Sequence, residues 1–171
     1  MAYTYSKIAT YTVGSGGIKS IDFLNIPQTY TDLKLVLSSR SNYGNNFGNP
    51  RITINNNTSI SSYSRRSIYA ESGAAGSEVG SETRIIGVIP DNATANTFGS
   101  LELYIPNYKG STYKSYFADS VTENNSSIYG MWILNGIWND SSPITSIGIA
   151  PIDGNFVQYT SAHLYGIKAE I

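Results

Sequence analysis

Apolar residues fall on every second position in one short run after another, and Gly, Asn and Pro cut between the runs. A period of two sends alternate side chains to opposite faces of an extended chain, so each such run is a strand with one face to bury. Leu33, Leu35 and Leu37 alternate with Lys34 and Val36. Leu101, Leu103 and Ile105 alternate with Glu102 and Tyr104, and Pro106 ends that run because it cannot continue a ladder. With 33–40 and 101–105, similar runs at 8–13, 21–23, 51–54, 63–69, 83–88, 113–121, 131–138, 144–149 and 156–167 predict roughly eleven short strands.

The separators are expected loops at 14–17, 43–50, 55–57, 72–81, 91–94, 123–127, 139–143 and 153–155. Their Gly and Asn residues tolerate positive φ, and Pro stops strand pairing. Nowhere does a helical period persist between capping residues. The pattern predicts an all-β protein: one domain over residues 1–171, a two-sheet antiparallel β-sandwich of jelly-roll-like type. An immunoglobulin-like sandwich ranks second, because 171 residues is long for that fold. The expected inward residues are Leu33, Leu35, Leu37, Leu101, Leu103, Ile105, Ile147, Ile149 and Leu164.

A chain of this length buries enough apolar surface to fold without staples, and it has no Cys, which removes disulfides, thiolate metal sites and cysteine nucleophiles together. Lys plus Arg is 11 against 12 Asp plus Glu, so there is no cationic surplus for binding nucleic acid through its phosphates. No apolar run approaches the length of a membrane helix, and the residues after Met1 lack the basic and apolar regions of a signal peptide. The expectation is a partner list without nucleic acid or membrane.

Charged residues make up only 13% of the chain, and Tyr (14 residues), Ser, Thr and Asn stand in their place. Tyr gives large contact area at small entropic cost, while Ser and Asn adapt their hydrogen bonds, a composition suited to interaction surfaces. The same residues also serve ordinary strands and turns.

Reactive groups are sparse. The single His163 has no Gly-x-Ser-x-Gly elbow elsewhere in the chain to serve, and one His without Cys makes a poor zinc site. Asp119, Glu123 and Glu102 are the carboxylates that could form a glycosidase pair, but Glu102 alternates outward from its strand. Asp153-Gly154-Asn155 lacks the further acidic ligands of a calcium loop and is expected to be a turn. Trp132 and Trp138 share parity with Leu134, which favours core packing over a sugar platform, with Gly136 a candidate bulge. Arg65 and Arg66 face opposite ways, and at least one should meet a carboxylate. Asn92 begins an Asn-x-Thr sequon of the kind this composition produces by chance. No catalytic, cofactor-binding or metal-binding residue is predicted, and the chain is not expected to be an enzyme.

The segments "YSRRSIYAESG", "VIPDNATANTFGSLELYIPNYKGSTYKSYFADSVTENN" and "GNFVQYTSAHLYGIK" resemble small virion structural proteins of tailed bacteriophages, notably those of aquatic hosts. The resemblance covers most of the chain and rests on phrases, not on a catalytic motif. It implies a location on the virion after assembly in the host cytoplasm. It further implies a capsid decoration (cement) role in contact with the major capsid protein or other virion proteins, and a homo-oligomer, expected as a trimer. The alternative it leaves open is a tail fibre or receptor-binding tip that recognises host glycans.

Overall fold

The computed structural model describes residues 3–44, 50–81, 83, 89–123, 125 and 129–169. More than half of these lie in eleven strands, and among the described residues helical structure is limited to one short 3-10 turn at Ile60–Ser62. The strands are β1 (Tyr3–Thr12), β2 (Ile21–Phe23), β3 (Asp32–Ser39), β4 (Pro50–Ile54), β5 (Tyr63–Glu71) and β6 (Ala74–Gly80), followed by β7 (Gly99–Ile105), β8 (Lys114–Thr122), β9 (Gly130–Trp138), β10 (Ile147–Pro151) and β11 (Ser161–Ala169). They form two antiparallel sheets, one of eight strands in the order β1-β11-β3-β7-β8-β9-β5-β6 and one of three in the order β2-β10-β4. The fold is the two-sheet β-sandwich expected from the alternation.

The register shows why the alternation specifies this arrangement. Leu35 lies opposite both Leu164 and Leu103, Leu103 opposite Ala118, and Ala118 opposite Leu134. One buried row therefore crosses five strands of the large sheet. On the small sheet Ile149 lies between Ile21 and Ile52, and Ile147 between Phe23 and Ile54. These residues belong to one apolar cluster. All nine of the predicted inward residues are buried in it. Burying one such side chain contributes about 1.5–3 kcal/mol, and a one-residue slip of any strand would turn its whole set outward.

Polar side chains tie the connections to this core. Arg40 is buried, and its guanidinium donates to the backbone carbonyls of Asp91, Ala93, Thr94 and Thr97 and to the Thr97 hydroxyl. One planar group thus ties four carbonyls of a single loop together. Asn55 does the same at one end of the small sheet, between the end of β4 and the start of β10: its Oδ1 accepts from the Thr145 and Ser146 amides, and its Nδ2 donates to the Pro143 carbonyl. Asp32 accepts from the Tyr104 hydroxyl and from the Asn107 amide, which fixes the turn after β7.

Two expectations are corrected. The loop expected at 72–81 is mostly strand β6, paired with β5 from Glu71↔Ala74 to Arg65↔Gly80. Its turn has only two residues, Ser72 and Gly73, both at positive φ (48° and 86°), the primed geometry that matches the twist of a hairpin. The bulge considered at Gly136 is absent, since β9 pairs with β5 and β8 without a register shift. Gly136 instead leaves room for the ring of Tyr116, which lies directly opposite it: a Cβ there would come within 2.2 Å of Tyr116 Cζ. The strand expected at 83–88 and the loops at 43–50 and 123–127 fall largely outside the described residues.

Candidate interaction surface

Eight strands against three leave one broad face of the large sheet uncovered. On β8 and β9 the alternation is strict, so every second residue of each strand points away from the core. The outward residues of β9 are Met131, Ile133, Asn135 and Ile137; those of β8 include Phe117, Asp119 and Val121. Cross-strand pairing assembles them into rows. Ile68 of β5 lies opposite Ile133, and Ile133 opposite Asp119. Met131 lies opposite Val121, and Val79 of β6 opposite Arg66. The apolar members of this patch are each between 41% and 72% exposed, well above what a strand's outward face requires.

The outward face changes character beyond β8. Asp119 pairs across to Glu102 of β7, two like charges side by side, an arrangement that costs free energy unless a cation shares them. Lys34 of β3 supplies a cation to Glu102 alone: its Nζ lies 2.6 Å from the Glu102 carboxylate and 5.9 Å from the centre of the Tyr5 ring. The hydrogen bond to Glu102, partly offset by desolvation, pushes Lys34 above the ordinary lysine range. Tyr5, Lys34, Glu102, Tyr104, Phe117 and Asp119 together line a shallow groove. Further along, His163 shares a hydrogen bond through Nδ1 with the Thr10 hydroxyl.

Of the residues weighed as chemistry from the sequence, only Asp119 and Glu102 are brought together, across β7 and β8 in the same groove. Glu123 accepts the Asn125 amide within its own turn, 2.8 Å away, and is separate from the Glu102–Lys34 pair. No group of three metal-donor side chains exists among the described residues. The expected turn at 153–155 is present, with Gly154 at φ 71° and the Asn155 amide donating to Asn42 Oδ1. Trp132 and Trp138 are buried on the inner face, as their shared parity implied. Arg65 is buried and pairs with Glu78 at 2.8 Å, whereas Arg66 projects outward. Neither Arg66 nor Asp119 has an ion-pair partner among the described residues. Asn92 is exposed.

The patch itself went unremarked in the sequence, although its signal is there. "MWILNGIW" carries large apolar residues on both parities, where a strand with one wet face should carry polar residues on one of them.

The two edges of the large sheet differ as well. β1 is interrupted by a register shift between Lys7 and Ala9 and carries that exposed lysine, both of which discourage strand addition. β6 runs for seven residues without Lys, Pro or a bulge. No helix among the described residues is long and apolar enough to cross a membrane. No family model matches the chain, and no curated protein matches its sequence.

Proposed function

We propose that this protein is a bacteriophage virion structural protein, a capsid decoration (cement) protein that holds shell subunits together by surface contact and without catalysis. The observation that carries the reading is the outward face of β5, β6, β8 and β9, which presents large apolar side chains to solvent on an otherwise well-packed sandwich. Such a face is suited to contact with another protein. The resemblance of the sequence to phage virion proteins supplies the setting: assembly in the host cytoplasm, with copies of the chain itself, expected as a trimer, and the major capsid protein or other virion proteins as partners. On a lattice each modest contact raises the effective concentration for the next, so a small sandwich acts by repetition.

The groove of Tyr5, Tyr104 and Phe117 with Lys34, Glu102 and Asp119 favours the second reading, a tail fibre or receptor-binding tip. Aromatic faces beside carboxylates suit a saccharide. Quantitative mass spectrometry on purified virions, isolated capsids and isolated tails separates the two. A decoration protein is present on capsids in numbers on the order of hundreds. Its absence from capsids, or its confinement to tails, overturns the first reading.

A further inference from the structure

We infer that the apolar outward face is a self-association surface, on which two copies pack face to face about a two-fold axis running along β9. The inference concerns the chain alone and holds whether or not the virion reading does.

Area is the first argument. The seven apolar residues of the patch expose about half of their surface on average, which amounts to roughly 700 Å² if a large apolar residue exposes about 200 Å². A stable interface takes about 800 Å² from each partner, so this patch with its immediate rim supplies what a dimer needs.

Charge is the second argument. Arg66 and Asp119 flank the patch on strands to either side of β9, and both are outward-facing and without an ion-pair partner among the described residues. The strand order around the patch is β8-β9-β5. A two-fold axis lying in the interface along β9 therefore places β5 of each copy over β8 of the other, at the same height along the strands. Arg66 shares a cross-strand row with Asn135 and Phe117. In the pair, Arg66 of one copy comes to lie over the Phe117 ring of the second, with Asp119 the next outward residue along that strand. The symmetry makes the contact twice: a guanidinium over an aromatic face and beside a carboxylate that already bears repulsion from Glu102. Ile133 and Met131 lie on the axis and meet their own counterparts. An in-plane axis across the strands through the Ile133 row would instead bring Arg66 over Ala70, with no carboxylate in reach. The register thus favours the axis along β9, since an axis between β8 and β9 would bring Arg66 toward Glu102, which Lys34 already holds, and sheets stacked this way keep their strands nearly aligned.

The test is sedimentation equilibrium of the full chain and four variants up to about 0.1 mM. Wild type is expected to be dimeric or, where the trimer contact of the virion reading also forms, a hexamer of three such dimers, and a trimer without pairing overturns the inference. Ile133→Lys should weaken pairing by about 30-fold or more. Arg66→Glu and Asp119→Arg should each weaken it by about 10-fold, and the double variant carrying both should recover to within about 3-fold of wild type. Thermal unfolding of each variant confirms that it folds. A wild type that stays monomeric overturns the inference, as does an oligomer indifferent to Ile133→Lys. Failure of the double variant to recover, with all variants folded, overturns the two-fold geometry. Pairing with an unrelated virion protein in place of the second copy would appear as the monomer outcome.

Discussion

Gly136→Ala tests whether the packing of the inner face is understood. Gly136 lies opposite Tyr116 on one side and Arg65 on the other, and the space above it is filled by the Tyr116 ring. A methyl group at Gly136 would stand 2.2 Å from Cζ, 2.4 Å from the hydroxyl and 2.5 Å from Cε2 of that ring. Non-bonded carbons rest about 3.5–4.0 Å apart, so the ring would have to retreat by more than an ångström. Tyr116 is only 2% exposed and sits in the core cluster, so it has little room to do so. Overpacking of this kind costs about 1–3 kcal/mol. For a chain of this size that lowers the melting temperature by roughly 2–4 °C per kcal/mol. With Tyr116→Ala in place the obstacle is gone, and Gly136→Ala should become stabilising by about 0.5–1 kcal/mol, the usual advantage of Ala over Gly within a strand. The sign of the glycine substitution therefore reverses with its neighbour. Urea unfolding of wild type, both single variants and the double variant closes the cycle, with Tyr116→Leu as a second background should the alanine variant fold poorly. Effects that add to within about 0.5 kcal/mol would show that the two sites do not contact each other as described, and the argument would fail.

Leu103→Ala, at a fully buried position in the middle of the large sheet, should cost about 2–5 kcal/mol in urea unfolding. Arg40→Met removes the donors that hold the carbonyls of residues 91, 93, 94 and 97; a loss of about 1–3 kcal/mol and faster hydrogen exchange across that loop are expected, and Arg40→Lys should recover only part of it. Tyr63, Tyr108 and Tyr116 are all pushed above the ordinary tyrosine range by burial. As pH rises past about 10 the unfolded chain ionises at these positions while the folded chain holds its protons, so stability should fall there, by up to about 1.4 kcal/mol per pH unit for each group. Lys114, pushed down by burial, opposes this only below the ordinary lysine range, Lys34, pushed up, adds to the loss above it, and Tyr116→Phe should flatten the loss in a pH series of melting curves.

Burial by parity was legible in the sequence wherever a strand's two faces differ in chemistry. Leu33 to Leu37 and Leu101 to Ile105 could be assigned inward because lysine, glutamate and tyrosine occupy the alternate positions. β6 was missed for the opposite reason. "AAGSEVG" carries no alternating apolar set, and its two glycines depress strand propensity. Its strand form comes from the Ser72-Gly73 turn and from Arg65, whose guanidinium reaches Glu78 across the hairpin. The Ser-Gly dipeptide was the available signal. The partnership of Arg40 with the loop after Pro90 could not be read, since it joins residues more than fifty apart and depends on carbonyls, which no side-chain pattern reveals. Gly136 was legible as unusual but not as a seat for an aromatic ring, because its partner lies on a different strand.

The outward patch is not a by-product of strand formation. β3, β7 and β11 belong to the same sheet, yet their outward positions include Lys34, Glu102, Tyr104 and His163. The change to Ile68, Phe117, Met131 and Ile133 occurs between adjacent strands, β7 and β8, where the inward residues change in the opposite sense, from Leu101, Leu103 and Ile105 to Lys114, Tyr116, Ala118, Ser120 and Thr122. Threonine at those positions would satisfy strand propensity equally well and would face water at lower cost. In a chain with few charges to keep copies apart, a contiguous apolar surface of this extent promotes association in any crowded setting. Association is then either directed, with Arg66 and Asp119 fixing its register, or indiscriminate. The charge-reversal pair separates these outcomes, because only a directed contact is broken by either reversal alone and restored by both together.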